Sequence, residues 1–297
     1  MAATREVVVL GAVVLLLAAV VAMAPPAAGL SPDLYAKSCP QLDAIVRDAV
    51  KAKLRESPPA SSASSSTTAS SLRGCDASIF LEPERGAGDP NSPNFSLQQP
   101  ALDLIEDIRA LAHRACGPKV SSADIIALAT CEAVNQSGGP RIRMPDARRG
   151  SCLPDAEDLV ALSGGHTVGQ AGCGFARDIS RGPCRGNVRF DLDGTPLAFD
   201  NKYFRDLSSR KGGVLASDQA LAGDRSTSSL VVAFATNQSA FFDQFDKSMI
   251  RLGSFVPPGG TPPGEIRRFS CGRTNKQAAI DLLDTTAADD EGFAASA

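Results

Sequence analysis

Along most of the chain apolar residues recur at helical spacing and strand-like alternation is scarce, so the pattern predicts a mainly α protein. An amphipathic helix is expected between Ser31 and Leu54. Leu42, Ile45, Val46 and Val50 share one face, while Asp43, Arg47, Asp48 and Lys51 lie largely elsewhere. Cys39 starts it, and Pro40 suits its first turn. A second stripe, Leu102, Ile105, Ile108 and Leu111, predicts a helix after a loop that ends near Pro100. His113 falls near the edge of the polar face of that helix and reads as a solvated residue. Val120 to Val134 is alanine-rich and helical, and Gly138-Gly139-Pro140 ends it. A further helix is expected from Ala156 to Ile179, and others over Asp200–Ser208, from Asp218-Gln219 onward, and over Thr227–Arg251. In the last of these Leu230, Phe234, Phe241, Phe245 and Met249 form a core stripe.

Other stretches lack any such period. Residues 55–71 are serine-rich with two adjacent prolines and are expected to be a disordered insert. Residues 141–157 carry no helical stripe, and residues 277–297 form an acidic, alanine-rich tail. Residues 1–29 carry Arg5, an apolar run from Val7 to Met23 and a small-residue region ending at Gly29, the arrangement of a signal peptide. Residues 30–276 are left as the folded domain, and no second segment is long and apolar enough to span a membrane.

With 297 residues, 43% of them hydrophobic, the chain is long enough for one large core or two modest lobes. Its net charge of −3 is too small and dispersed to suggest nucleic acid or an anionic membrane as partner. Eight cysteines (39, 75, 116, 131, 152, 173, 184 and 271) follow the leader and point to disulfides in an exported chain. The sequons at Asn94, Asn135 and Asn237 fit the same compartment. There is no nucleophile elbow, phosphate loop, dinucleotide fingerprint or zinc-type cluster.

The most informative stretch is Asp158-Leu-Val-Ala-Leu-Ser-Gly-Gly-His-Thr-Val-Gly169, in which small residues around one histidine leave room for a flat, bulky group. Together with Tyr35-Ala-Lys-Ser-Cys-Pro40, Gly74-Cys-Asp-Ala-Ser78, Phe199-Asp-Asn-Lys-Tyr-Phe204 and Ser217-Asp-Gln219, it closely resembles the secreted plant haem peroxidases of class III. The likeness covers roughly Leu30 to Lys276, with gaps.

That resemblance implies a two-lobed helical haem-peroxidase-like fold with haem b between the lobes, and a monomer in the cell wall, apoplast or vacuole. His166 would be the axial ligand of the haem iron. Asp218 would take the hydrogen bond from its other ring nitrogen, fixing the tautomer and strengthening the imidazole as a donor. Two calcium sites are implied. On the proximal side the matching groups are Thr167, Thr195, the carbonyl of Ala198 and Asp200, together with Asp191 or Asp193. Leu192 sits at the family's own spacing for that first aspartate. On the distal side Gly74, Asp76 and Ser78 match. Cys39–Cys116 and Cys173–Cys184 match family disulfides. The family partner of Cys271 is replaced by Ser122, and Cys75, Cys131, Cys152 and Cys271 allow three pairings.

The chain departs from the family on its distal side, where the fold is incomplete. The Arg-x-x-Phe-His-Asp-Cys helix expected before Gly74 is replaced by serine-rich sequence, and the chain's two histidines are His113 and His166. Arg73 is out of register for the distal arginine. Two further stretches of the family are missing, a longer one with a helix between Arg149 and Asp155 and a short helical piece between Ile179 and Cys184. The implied reaction oxidises phenolic donors with hydrogen peroxide, as in peroxide removal under oxidative stress. A positioned general base contributes ~10²–10⁴-fold and a charge-stabilising donor about 10²–10³-fold, so losing both predicts impaired activity. The alternative is a non-catalytic, haem- and calcium-binding extracellular pseudoperoxidase.

Overall fold

The computed structural model describes residues 35–56, 77, 80–81, 99–143, 155–176, 188–209, 212–253 and 266–280. Among them the protein is mostly helical. The helices are α1 (Leu42–Glu56), α2 (Gln99–Cys116), α3 (Ser122–Gln136), α4 (Ala156–Ser163), α5 (Lys202–Ser208), α6 (Ala216–Gly223), α7 (Ser228–Thr236) and α8 (Gln238–Gly253). Residues 275–280 are also helical. The serine-rich insert, the leader, the acidic tail and residues 144–154 lie outside the described residues.

Apolar side chains gather in two large clusters. In the first, α1 packs on α2 and α3. Val46, Val50, Ile105, Ile108, Val120 and Ile125 are buried there with Phe80 and Cys271. The disulfide Cys39–Cys116, with Cα atoms 5.2 Å apart, ties the start of α1 to the end of α2. The second cluster joins α4, α5, α7 and α8 around Tyr203, Phe204, Phe241 and Phe245. Helix α3 serves both: Ile125, Ile126, Ala129 and Ala133 face the first cluster, Cys131 and Val134 the second.

Phe241 is the hub of the second cluster, fully buried. Its ring lies 4.9 Å from Phe204, 5.6 Å from Phe199 and 5.7 Å from Phe245. Such ring pairs add about 0.5–1.5 kcal/mol each beyond their buried area. Gly164 follows α4 and touches this hub. A Cβ at that position would come within 2.5 Å of the Phe241 ring and 2.8 Å of Phe204.

Helix α4 is fixed at its start by a capping box. Asp155 accepts from Asp158 N at 2.9 Å, and Asp158 accepts from Asp155 N at 3.3 Å. The Asp158 carboxylate is 1% exposed and also takes Ser248 Oγ at 2.8 Å and the Arg251 guanidinium, both from α8. Paired in this way, the buried charge anchors α4 against α8.

Three sequence expectations are corrected. The helix over Ala156–Ile179 stops at Ser163 and continues as a single 3-10 turn, Gly164–Thr167, followed by strand β1 (Gln170–Gly172). Two adjacent glycines, the β-branched Thr167 and Val168, and Gly169 at φ +110° all oppose helix there. Strand β1 pairs antiparallel with β2 (Arg189–Asp191), with Gln170 opposite Asp191. The expected helix over Thr227–Arg251 is two, broken at Asn237, whose Oδ1 accepts from Ala240 N at 3.1 Å and restarts the chain as α8. Leu111 is 41% exposed, and the α2 stripe closes through Ala112 instead.

Candidate functional site

The 3-10 turn places His166 and Thr167 side by side, facing different surroundings. His166 Nδ1 lies 2.8 Å from Asp218 Oδ1, and the carboxylate is 1% exposed. The same oxygen accepts from Tyr203 Oη at 3.0 Å, while Asp218 Oδ2 accepts from Leu215 N at 3.0 Å. Asp218 therefore caps the first turn of α6 and receives the histidine at once. Burial, and then the charge of Asp218, push the Tyr203 hydroxyl well above its ordinary pKa. It stays a donor, and the carboxylate cannot turn away.

A buried carboxylate at that distance fixes the proton on Nδ1 and leaves Nε2 with its lone pair. No bond to a described residue engages Nε2. The ring meets Tyr203 edge-on at 6.0 Å between centroids and remains partly open. This is the arrangement an axial metal ligand needs, with one nitrogen oriented by a carboxylate and the other free. The residues present thus fit the proximal half of a haem site.

Thr167 points the other way, into a cluster of oxygens. Its hydroxyl donates to Asp193 Oδ2 at 2.7 Å and approaches Asp200 Oδ1 at 3.3 Å. Thr195 N donates to Asp193 Oδ1 at 2.7 Å, and Thr195 Oγ1 lies 3.2 Å from Asp200 Oδ1. Ala198 closes the turn by donating its N–H to the Thr195 carbonyl at 2.9 Å. Asp193 is 9% exposed, and its pKa is pushed up to about 6, first by burial and then by the charge of Asp200 against the pull of its hydroxyl and amide donors.

Asp191 stands apart. It is exposed on β2 and accepts from Gln170 Nε2 at 2.7 Å. Leu192, at 5% exposure, packs with Ala176 and Val214. Of the two aspartates the sequence left open, only Asp193 joins Thr167, Thr195 and Asp200. Among the described residues no three His, Cys, Asp or Glu side chains gather as a metal cage. The cluster consists of two carboxylates and two hydroxyls, an all-oxygen donor set of the kind hard cations take.

Gly74, Asp76 and Ser78, assigned above to a distal cation, lie outside the described residues, as does Cys184. Cys173 is disulfide-bonded. Cys131 and Cys271 are free and buried. His113 is not the solvated residue expected from its helix position, since both its ring nitrogens are engaged, by Arg109 and by the Val120 carbonyl, each at 3.2 Å.

The peroxidase family model matches residues 43–152 and 153–237. Peroxidase 12 of Arabidopsis thaliana is 33% identical, over 88% of this chain and 87% of that protein. Cationic peroxidase SPC4 of Sorghum bicolor is 34% identical over 89% and 88%, and peroxidase C2 of Armoracia rusticana 32% over 87% and 91%. The mainly helical fold agrees with these matches. The chain belongs to the plant peroxidase family.

Proposed function

We propose that this chain is an exported haem protein of peroxidase type that holds haem b through His166 Nε2 and a calcium ion beside Thr167. The observation that carries this is the 2.8 Å contact between His166 Nδ1 and the buried Asp218 carboxylate, itself held by Tyr203 and the Leu215 amide. When bound, haem supplies the two-electron redox chemistry by which hydrogen peroxide is reduced and small phenolic donors are oxidised. Asp218 keeps the Nδ1 proton in place and Tyr203 keeps Asp218 in place, so Nε2 is presented in one orientation.

For the cation, the ligands are Thr167, Asp193, Thr195 and Asp200 with the Ala198 carbonyl. The raised pKa of Asp193 supports it, because burial first and the charge of Asp200 after it both oppose ionisation there, and a divalent ion would offset them. Export is supported by the leader-like residues 1–29, the eight cysteines and the Cys39–Cys116 bridge. The exposed Asn237 suits the attached carbohydrate that its sequon implies. No described helix is long and apolar enough to cross a membrane.

Turnover in this reading is weak, and a pseudoperoxidase role is the second reading. The specific observation in its favour is His113. With His166 on the proximal side it is the only other histidine, and Arg109 and the Val120 carbonyl commit both its ring nitrogens. No histidine is then left to move a proton on peroxide. Stopped-flow absorbance of the refolded chain with haem and calcium tests both readings. A Soret band that responds to peroxide well above the free-haem rate and recovers with a phenolic donor supports an active peroxidase. A stable ferric spectrum without that response supports the pseudoperoxidase, and failure to retain haem rejects both.

A further inference from the structure

Arg109 is buried in α2 at 7% exposure, with every N–H of its guanidinium used. Nε and Nη2 both donate to Glu106 Oε1, the first at 2.9 Å. Nη2 also donates to the Phe269 carbonyl at 2.8 Å, and Nη1 to the Arg268 carbonyl at 2.8 Å. The last Nη1 hydrogen meets His113 Nδ1 at 3.2 Å. Glu106 Oε2 adds a bond from Cys271 N at 2.7 Å. One Arg–Glu pair therefore clamps the backbone of residues 268–271 onto α2.

Guanidinium only donates, so His113 Nδ1 must accept. Its proton then sits on Nε2, which donates to the Val120 carbonyl at 3.2 Å. The clamp holds neutral His113 in one tautomer. A proton added to Nδ1 would convert an acceptor into a second cation, 3.2 Å from the first.

We propose that His113 is a proton-operated latch: protonation at Nδ1 repels Arg109 and releases the C-terminal segment 268–271 from α2. Histidine is the side chain suited to this, since it changes charge between about pH 5 and 8. The charges around it do not cancel the effect. Glu106 stays anionic, because bonds from Arg109 and Cys271 N outweigh the burial that opposes them. It is already taken up by those partners. Asp124, beyond Ser121, accepts from the Tyr35 and Ser121 hydroxyls. Lys119 and Arg114 are exposed cations. On the C-terminal segment Arg267 donates to the Ala77 and Cys271 carbonyls at 2.7 Å. The Cys271 thiol is pushed up to about 11, chiefly by burial, and stays neutral.

Hydrogen exchange by mass spectrometry on the intact chain at pH 7.5 and 5.0, corrected for intrinsic rates, tests the latch. Protection of the peptide containing residues 268–271 should fall about tenfold at the lower pH, the scale of one lost bond to a charged group. Protection of α3 should not change. In His113→Gln, which accepts from Arg109 but gains no proton, protection should be the same at both pH values. An equal fall in wild type and variant, or no fall in wild type, overturns the proposal. A second test needs no variant. With two histidines in the chain, the ring nitrogens of His113 can be resolved by ¹⁵N NMR, and a neutral form protonated at Nδ1 overturns the latch.

Discussion

Ser122 Oγ donates to Cys271 Sγ across 3.3 Å, in a buried contact between residues 149 positions apart. The serine occupies the place where the family resemblance led us to expect a second cysteine. The backbone already brings the two positions together, and a hydroxyl now stands where a covalent bond would close.

Ser122→Cys should therefore form a disulfide with Cys271 without rearrangement. A gain of about 2–4 kcal/mol is expected for a bridge spanning such a long segment. A thiol titration showing one fewer free cysteine than wild type, with a higher denaturant midpoint, checks it. Ser122→Ala should cost about 0.5–1.5 kcal/mol, the value of one hydrogen bond.

Asp218→Asn keeps the shape of the side chain but removes its charge. The histidine would lose its strong acceptor, and the Nδ1 proton would no longer be fixed. Haem affinity or peroxide response should fall ~10–100-fold, as when the outer partner of a ligating histidine is changed. Haem titration followed by the Soret band reads the first effect, and stopped-flow the second.

The pH dependence of the oxygen cluster has a definite sign. Asp193 has its pKa raised in the folded state to about 6 from 3.8, by burial first and by Asp200. Its contribution to stability is present below the unfolded value and is lost as pH rises through the folded one. In chelator, the melting temperature of wild type relative to Asp193→Asn should decline between pH 4 and 7. With calcium the order should reverse, the wild type gaining most at pH 7, above the raised pKa of Asp193. Differential scanning fluorimetry of the two proteins across pH checks it.

Gly164→Ala should be poorly tolerated. Its Cβ would meet the Phe241 ring at 2.5 Å, inside a fully buried aromatic hub that has little room to yield. Overpacking of this kind costs about 1–3 kcal/mol. Because Gly164 is two residues before His166, haem retention should fall along with the melting temperature.

The pairing of His166 with Asp218 was more legible in the sequence than the path of the chain between them. His166 and Asp218 were legible because each sits in a short, distinctive stretch, and the fold brings the stretches together. The end of α4 was not, since Leu159 and Val160 extend a helical pattern while Gly164 to Gly169 end it through backbone geometry that hydrophobic period does not record. The choice between Asp191 and Asp193 depended on β2, a strand of three residues too short to leave a period. His113 looked solvated because its own helix shows only the Arg109 half of its environment. Arg109 is in turn held by a carbonyl 159 residues away, a tertiary contact that no local pattern announces.

The 3-10 turn of Gly164–Thr167 carries adjacent residues into two separate pockets, His166 toward Asp218 and Thr167 toward Asp193 and Asp200. Neighbours on so short and well-anchored a turn cannot move independently. Thermodynamic reciprocity then applies: by whatever factor an ion beside Thr167 changes the affinity of a group at His166, that group changes the affinity of the ion equally. Stripping either one should loosen the grip on the other, so the two binding constants form a single measurable coupling and not two independent properties.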